Sequence, residues 1–294
     1  MFTSKMIVDL SVGYWVFTSI GVIASVLQTV LDVYILHKYV FKSKTWKKLE
    51  YQLILFRVIL DAFNGIFSLI YFLSTIITLL FSNMIPFDVS FIIGLIASNF
   101  LEMRSFLAAI IAVERALAAT IPLEFYKFRN RISNIPVFIF ILFTAMSYDT
   151  FLIIICGFRL PLTPGCTNFA CAAPTCFNDY TYVTRIVYAS TNAFFSAVLC
   201  YKLFWLSLKR TKVPADFRRA NWLSLTDGFS TLSFDLLPST IVNLGIVDIR
   251  GLGPVVGAFR QFGRAFEAAV MVKLMKKEQA VNTRVSGSFR INLN

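Results

Sequence analysis

Charge is scarce in this chain. Asp, Glu, Lys and Arg make up 15% of its 294 residues, where a soluble domain carries about 25%. Histidine occurs once, as His37. A lone imidazole at the edge of an apolar run excludes a Ser-His-Asp centre or a His-rich metal site. HExxH, GxSxG and a Gly-rich phosphate loop are all missing. No enzyme, cofactor or metal is therefore expected. Apart from the C-terminal tail there is no linker, internal repeat or low-complexity stretch.

What the chain has is apolar length. It is 57% hydrophobic and contains 31 Phe, more than a water-soluble fold of this size can hide, so lipid is the expected solvent. A helix needs about 20 residues to cross a bilayer. Seven runs qualify, at about 11–36, 53–80, 91–120, 135–156, 182–206, 222–247 and 253–272. The expected fold is all-α, a seven-transmembrane helix bundle in one domain (1–272), followed by a basic tail (273–294). The first run is too long for a cleaved signal peptide and reads as a signal anchor.

Net charge is +12. In a soluble protein that excess would point to nucleic acid, but its placement points to a membrane surface. The segments 38–48, 127–131, 209–219 and 273–290 hold eighteen Lys and Arg, against Lys5, Arg159 and Arg250 on the opposite side. The bias predicts an outside N-terminus and an inside C-terminus. The basic collar would face anionic lipid headgroups, at about 1 kcal/mol per residue. Nucleic acid is not an expected partner.

Cys166, Cys171 and Cys176 fall in the expected outer loop 157–181, and Cys156 lies at its edge. An outer loop passes through oxidising compartments, so disulfides are expected there. Four cysteines permit three complete pairings, and their spacing does not choose among them. Cys156 is equally read as a free buried thiol. Cys200, within the fifth run, is expected to be free. A zinc site is disfavoured because no His is near.

Ionisable groups inside a bilayer are costly, at about 2.5–3.5 kcal/mol on insertion scales, which makes each one a candidate. The apolar runs carry Arg57, Asp61, Asn64, Asn99, Glu102, Arg104, Asp149, Asp227, Asp235, Arg260, Gln261, Arg264 and Glu267. Asn99, Glu102, Asp235, Arg260, Gln261 and Arg264 are expected to form a ligand pocket between helices 3, 6 and 7. Asp61, Asn64 and Glu267 are expected to continue it as an intramembrane polar network. The alternative is a set of structural salt bridges that touches no ligand. Arg260 and Arg264 raise an anionic ligand as a hypothesis, which an Arg264–Glu267 pair would weaken. Pro238 predicts a kink in the sixth helix. Gly253-x3-Gly257 is a weak signal for close helix packing.

At the inner end of the third run stand Glu114-Arg115-Ala116, then Ala118 and Pro122. Glu114 can hold Arg115 in a local ion pair while the bundle is closed and release it when the inner helix ends part. Pro122 can end the helix and begin the inner loop. The plainer reading is an interfacial Arg beside a Glu.

This element is similar to the Asp/Glu-Arg-Tyr end of helix 3 in rhodopsin-type G-protein-coupled receptors, with Ala116 replacing the aromatic. The chain lacks their helix 3 Cys, helix 4 Trp, Cys-Trp-x-Pro and Asn-Pro-x-x-Tyr. A narrower resemblance covers nearly the whole length. The chain resembles the nematode serpentine chemoreceptors, closest to the Srbc class. It does so through Pro164-Gly165-Cys166-Thr167-Asn168-Phe169-Ala170-Cys171, Cys176-Phe177, Ala220-Asn221, Phe234-Asp235 and Leu237-Pro238. The resemblance implies a plasma-membrane receptor of sensory neurons, in the cilium. It would bind a small external molecule and signal through a heterotrimeric G protein, with Glu114, Arg115 and Pro122 as the coupling element. The competing function is a transporter or ligand-gated channel with a polar path. It is weakened by the lack of inverted repeats.

Overall fold

The computed structural model describes residues 12–38, 49–81, 87–129, 133–159, 169–208, 215–244 and 254–291. In chain order its helices are α1 (Val12–Leu36), α2 (Leu49–Leu80), α3 (Phe87–Thr120), α4 (Pro122–Arg129) and α5 (Ile135–Thr150). They continue as α6 (Phe169–Ala172), α7 (Thr175–Leu208), α8 (Ala215–Ser230), α9 (Leu237–Asn243) and α10 (Val255–Ile291). No strand occurs among the described residues. Cys166, Arg250 and Gly253 lie outside the described residues, as do the far end of the sixth run and most of the basic loop 38–48.

Five helices among the described residues are long and apolar enough to cross a membrane: Val12–Leu36, Gln52–Thr78, Asp88–Thr120, Ile135–Ile155 and Thr175–Trp205. The two remaining segments of the bundle, α8–α9 and α10, fall short because they carry Asp227, Asp235, Arg260, Arg264 and Glu267. All five of those side chains are buried. They turn toward one another and leave lipid to Phe229, Leu237, Phe262 and Phe266, which are exposed.

α3 packs against α2, α5, α7 and α8, and α1 packs against both α2 and α10. The consequence is visible in burial. In the most apolar stretch of α3, 61% of residues are buried, against 17% in that of α5. α3 is therefore the central post and α5 a peripheral helix. The exposed face of α5, with Ile139, Phe140, Phe143 and Met146, matches a lipid environment.

Besides the π turn at His37 and Lys38 that follows α1, two helices among the described residues change pitch. Between α8 and α9 the segment Thr231–Leu236 is π-helical, with the Leu237 N–H bonded to the Leu232 carbonyl. Pro238 follows it and has no N–H to continue the α pattern. The hydroxyls of Ser239 and Thr240 donate to the carbonyls of Asp235 (2.6 Å) and Leu236 (2.9 Å). The expected kink is thus a widened turn, and Asp235 sits in it. A second π segment, Phe151–Ile155, ends α5, where the Cys156 N–H donates to the Phe151 carbonyl at 3.0 Å.

Helix α10 approaches the π segment closely. A Cβ at Gly263 would lie 2.6 Å from Cβ of Phe234, and Ser230 Oγ donates to the Gly263 carbonyl at 3.2 Å. Gly257 is different. A Cβ there would meet only the Phe72 ring, at an ordinary 3.5 Å.

Expected and observed helix limits differ where polar turns extend a span. α7 begins at Thr175, seven residues ahead of the apolar run at Tyr182, and α10 remains helical to Ile291, well past Val272. Hydropathy marks the apolar slab, and a helix leaves it without losing its hydrogen bonds.

Candidate functional site

The middle of the bundle is an ion network. Arg104 of α3 has no exposed surface. Its Nε donates to Asp61 Oδ1 of α2 at 3.1 Å, and its Nη2 donates to Asp227 Oδ1 of α8 at 2.7 Å and to Glu267 Oε2 of α10. Arg57 of α2 reaches the same two oxygens, at 2.8 Å from Asp227 and 2.5 Å from Glu267. Arg264 pairs with Glu267 Oε1 at 3.1 Å and Asp235 Oδ2 at 3.5 Å. Arg260 donates from Nε to Asp235 Oδ1 at 2.7 Å and from Nη2 to Ser239 Oγ at 2.8 Å. Asn192 of α7 donates to Asp227 Oδ2 at 3.1 Å.

Four arginines thus stand against four carboxylates, joined without a gap across α2, α3, α8, α10 and the π segment. A lone buried ion would cost several kcal/mol, and mutual pairing is what makes the cluster tolerable in a low-dielectric interior, while Arg104 Nη1 and Arg264 Nε are buried without a hydrogen-bond partner among the described residues. Beside it lies a cavity of about 40 Å³ bounded by Asp32, Asp61, Glu267 and Ser224. Asp32 and Ser224 are buried.

Toward the end of the bundle that carries the cysteines lies a larger cavity of about 370 Å³, within the usual range for small-molecule sites of about 300–1,000 Å³. Its polar wall includes Ser68, Ser98, Tyr148, Arg185, Arg260 and Gln261. The short helix α6 covers part of it through Phe169, whose N–H donates to Tyr71 Oη at 3.0 Å. Phe91 stacks on both Phe158 and Phe169, with ring centroids 4.6 and 5.0 Å away. A disulfide joins Cys156, just past the π segment that ends α5, to Cys176 in the first turn of α7. That chooses among the alternatives left open by spacing. Cys166 lies outside the described residues, and the side chain of Cys171 is not described either. Cys200 is free and exposed on the outside of α7.

The sequence-expected pocket is only partly assembled. Arg260 and Gln261 line the large cavity, and so does Asn64, which had been assigned to the network. Gln261 Nε2 donates to Ser68 Oγ at 2.7 Å, and Ser68 Oγ donates to Asn64 Oδ1 at 3.2 Å. Asn99 points away from the cavity and donates to both carboxylate oxygens of Asp149 on α5, at 2.9 and 3.0 Å. Asp235 and Arg264 belong to the ion network and not to the wall. Glu102 is 4% exposed and also does not line the cavity. The reason is common to these residues: a helix face shared in sequence is divided between different neighbours once the helices cross. Arg185, Ser98, Tyr148 and Asn192 were missed. Arg185 had a visible signal, a cation three residues into an apolar run.

At the opposite end Glu114 receives its ion pair from Arg129 of α4, Nε to Oε1 at 2.6 Å, and not from the adjoining Arg115. Arg129 also donates to Asn134 Oδ1, and Asn134 Nδ2 donates to Gln52 Oε1 of α2 at 2.8 Å. Successive residues on a helix point about 100° apart, so Glu114 and Arg115 cannot share a face. Arg115 is itself buried, at 6% exposure. Pro122 is the first residue of α4, where its missing N–H costs nothing.

Among the described residues an all-helical bundle with lipid-compatible outer faces, a buried ion network and a ligand-sized cavity has the features of a polytopic membrane protein. The family model described as "Serpentine type 7TM GPCR chemoreceptor Srbc" matches residues 10–279, and the chain belongs to that family. A comparison with curated proteins found no match. The family gives the chain a chemosensory, receptor-like role in a membrane and is not a class of enzymes.

Proposed function

We propose that the chain is a chemosensory receptor that takes a small external molecule into the 370 Å³ cavity and activates a heterotrimeric G protein at its Glu114 end. The observation that carries this reading is the position of Arg260. It is at once a wall of the cavity and, through Asp235, the first member of the ion network. A ligand that moves Arg260 by a fraction of an ångström changes the pairing of Asp235 and Arg264, and through Glu267 that of Arg104 on the central helix. Coupling needs such an element with two arrangements that ligand binding can bias.

In this reading the cysteine-bearing end faces outward, which the distribution of Lys and Arg supports. Glu114 and Arg129 hold the inner ends of α3 and α4 together in the resting state. Opening of that end exposes Arg115 to the G protein. The bilayer is the plasma membrane, in a sensory cilium where the expressing cell has one.

A screen of small odorants with calcium readout, in cells expressing the full chain, tests the reading. Responses that disappear when G-protein signalling is blocked are the expected result. A ligand-evoked current that survives complete blockade would establish the channel or transporter alternative in its place.

A further inference from the structure

We infer that the cavity selects molecules carrying a carboxylate joined to an apolar body, and that Arg185 is the residue that pairs with the anionic group. The inference rests on the receptor reading above and names the ligand class of the same site.

Two arginines line the cavity. Arg260 is already engaged, with Asp235 on Nε and Ser239 on Nη2. Arg264, the other cation expected there, faces Glu267, Asp235 and Asp227 and is absent from the wall. Arg185 of α7 is half-buried in the wall, and among the described residues no carboxylate oxygen lies within 4.0 Å of its nitrogens. Its acidic neighbours are Glu102 of α3 and Asp235 of the π segment, both buried, both outside the cavity wall and both beyond ion-pair distance, and Asp235 is already held by Arg260. Asp179 also borders the cavity, but it is exposed and so screened by water.

A guanidinium held out of bulk water without a contacting acid keeps its planar fork of donors available. A carboxylate matches that fork with two parallel hydrogen bonds. The hydroxyls of Ser98 and Tyr148 border the same space. Phe72, Leu101, Phe169 and Phe177 give the wall an apolar and aromatic part, beside neutral polar side chains such as Asn64, Ser68 and Gln261. At the roughly 30 Å³ that one water occupies in the liquid, 370 Å³ holds about a dozen non-hydrogen atoms. Medium-chain and aromatic monocarboxylates have that size. A cationic ligand would face two arginines and is disfavoured.

The test uses purified full-length protein in lipid nanodiscs. Octanoate and phenylpropionate are titrated against their primary amides and methyl esters, with binding read directly by thermal shift and by competition. The acids should bind about ten- to a hundredfold more tightly than the neutral forms, the size of one charge-assisted pair. Arg185→Gln should erase that preference, Arg185→Lys should restore part of it, and Glu102→Gln, by removing the competing carboxylate, should increase acid affinity. Equal affinity for acid and amide overturns the inference, as does the absence of acid binding up to about 1 mM or an unchanged preference in Arg185→Gln. Because binding is read without a G protein, a failure here leaves the receptor reading standing. A receptor that binds acids and never signals would fail in the other direction.

Discussion

Replacing Arg104 by Leu is the most informative single perturbation of the bundle. Arg104 holds carboxylates from three helices, Asp61, Asp227 and Glu267, with no exposed surface. Removing one partner of a buried ion pair costs about 3–5 kcal/mol, because the other charge stays buried. Arg57 limits the loss, since its Nη2 already contacts the same oxygens of Asp227 and Glu267. The cost of Arg104→Leu is therefore set at about 3–5 kcal/mol and not at the sum of three broken pairs. The variant leaves the network one positive charge short, and Glu267→Gln restores the balance. The double variant should recover a stability loss of at least about 1–2 kcal/mol relative to additivity. Denaturant or thermal unfolding of the four proteins of this cycle, purified in detergent, measures it. Strict additivity, or an Arg104→Leu protein within about 0.5 kcal/mol of the parent, would refute the claim that the network acts as one unit.

Other consequences follow from single contacts. Cys156→Ser, Cys176→Ser and the double replacement should destabilise equally, by about 3 kcal/mol for a loop of this length, when unfolding is followed under non-reducing conditions. Unequal losses would mean another pairing. Gly263→Ala should cost about 1–3 kcal/mol by forcing α10 off Phe234, whereas Gly257→Ala, which meets only the edge of Phe72, should cost less than about 0.5 kcal/mol. Both are read from melting curves. Glu114→Gln and Arg129→Gln should each raise ligand-independent signalling at matched surface expression. The double variant should do no more than Arg129→Gln alone, which removes the ion pair and also the bond to Asn134.

How much of this the sequence discloses depends on whether the information is local. The long apolar runs of α1, α2, α3 and α5 are local, and their expected limits agree with the helices to within a few residues. So is Pro238, which marks the π segment although not its form. The polar start of α7 at Thr175 and the basic extension of α10 past Val272 are helical for reasons hydropathy does not register. The identities of the buried ions were legible too, but their pairing was not. Arg104 is one polar residue in an apolar run until α2, α8 and α10 converge on it. Glu114 and Arg115 look like a pair because they adjoin, and helical geometry separates them. The sequence points an anionic ligand to Arg260 and Arg264, and the fold pairs both with Asp235 and the second also with Glu267. Arg185, the cavity arginine without a contacting carboxylate among the described residues, stands near the start of an apolar run whose hydropathy hides it. The bridge between Cys156 and Cys176 needed the end of α5 and the start of α7 to be placed side by side.

The proposed receptor function makes the cavity and the Glu114 end two ends of one coupled device. Ligand-stimulated guanine-nucleotide exchange tests it most directly, measured on the purified receptor in nanodiscs with a panel of heterotrimeric G proteins, beside the Arg115→Ala variant. The account requires exchange to rise with ligand in the parent and to be lost in Arg115→Ala while ligand affinity measured without G protein is retained. A receptor that binds ligand but stimulates exchange on no heterotrimer, or an Arg115→Ala variant as active as the parent, would contradict it.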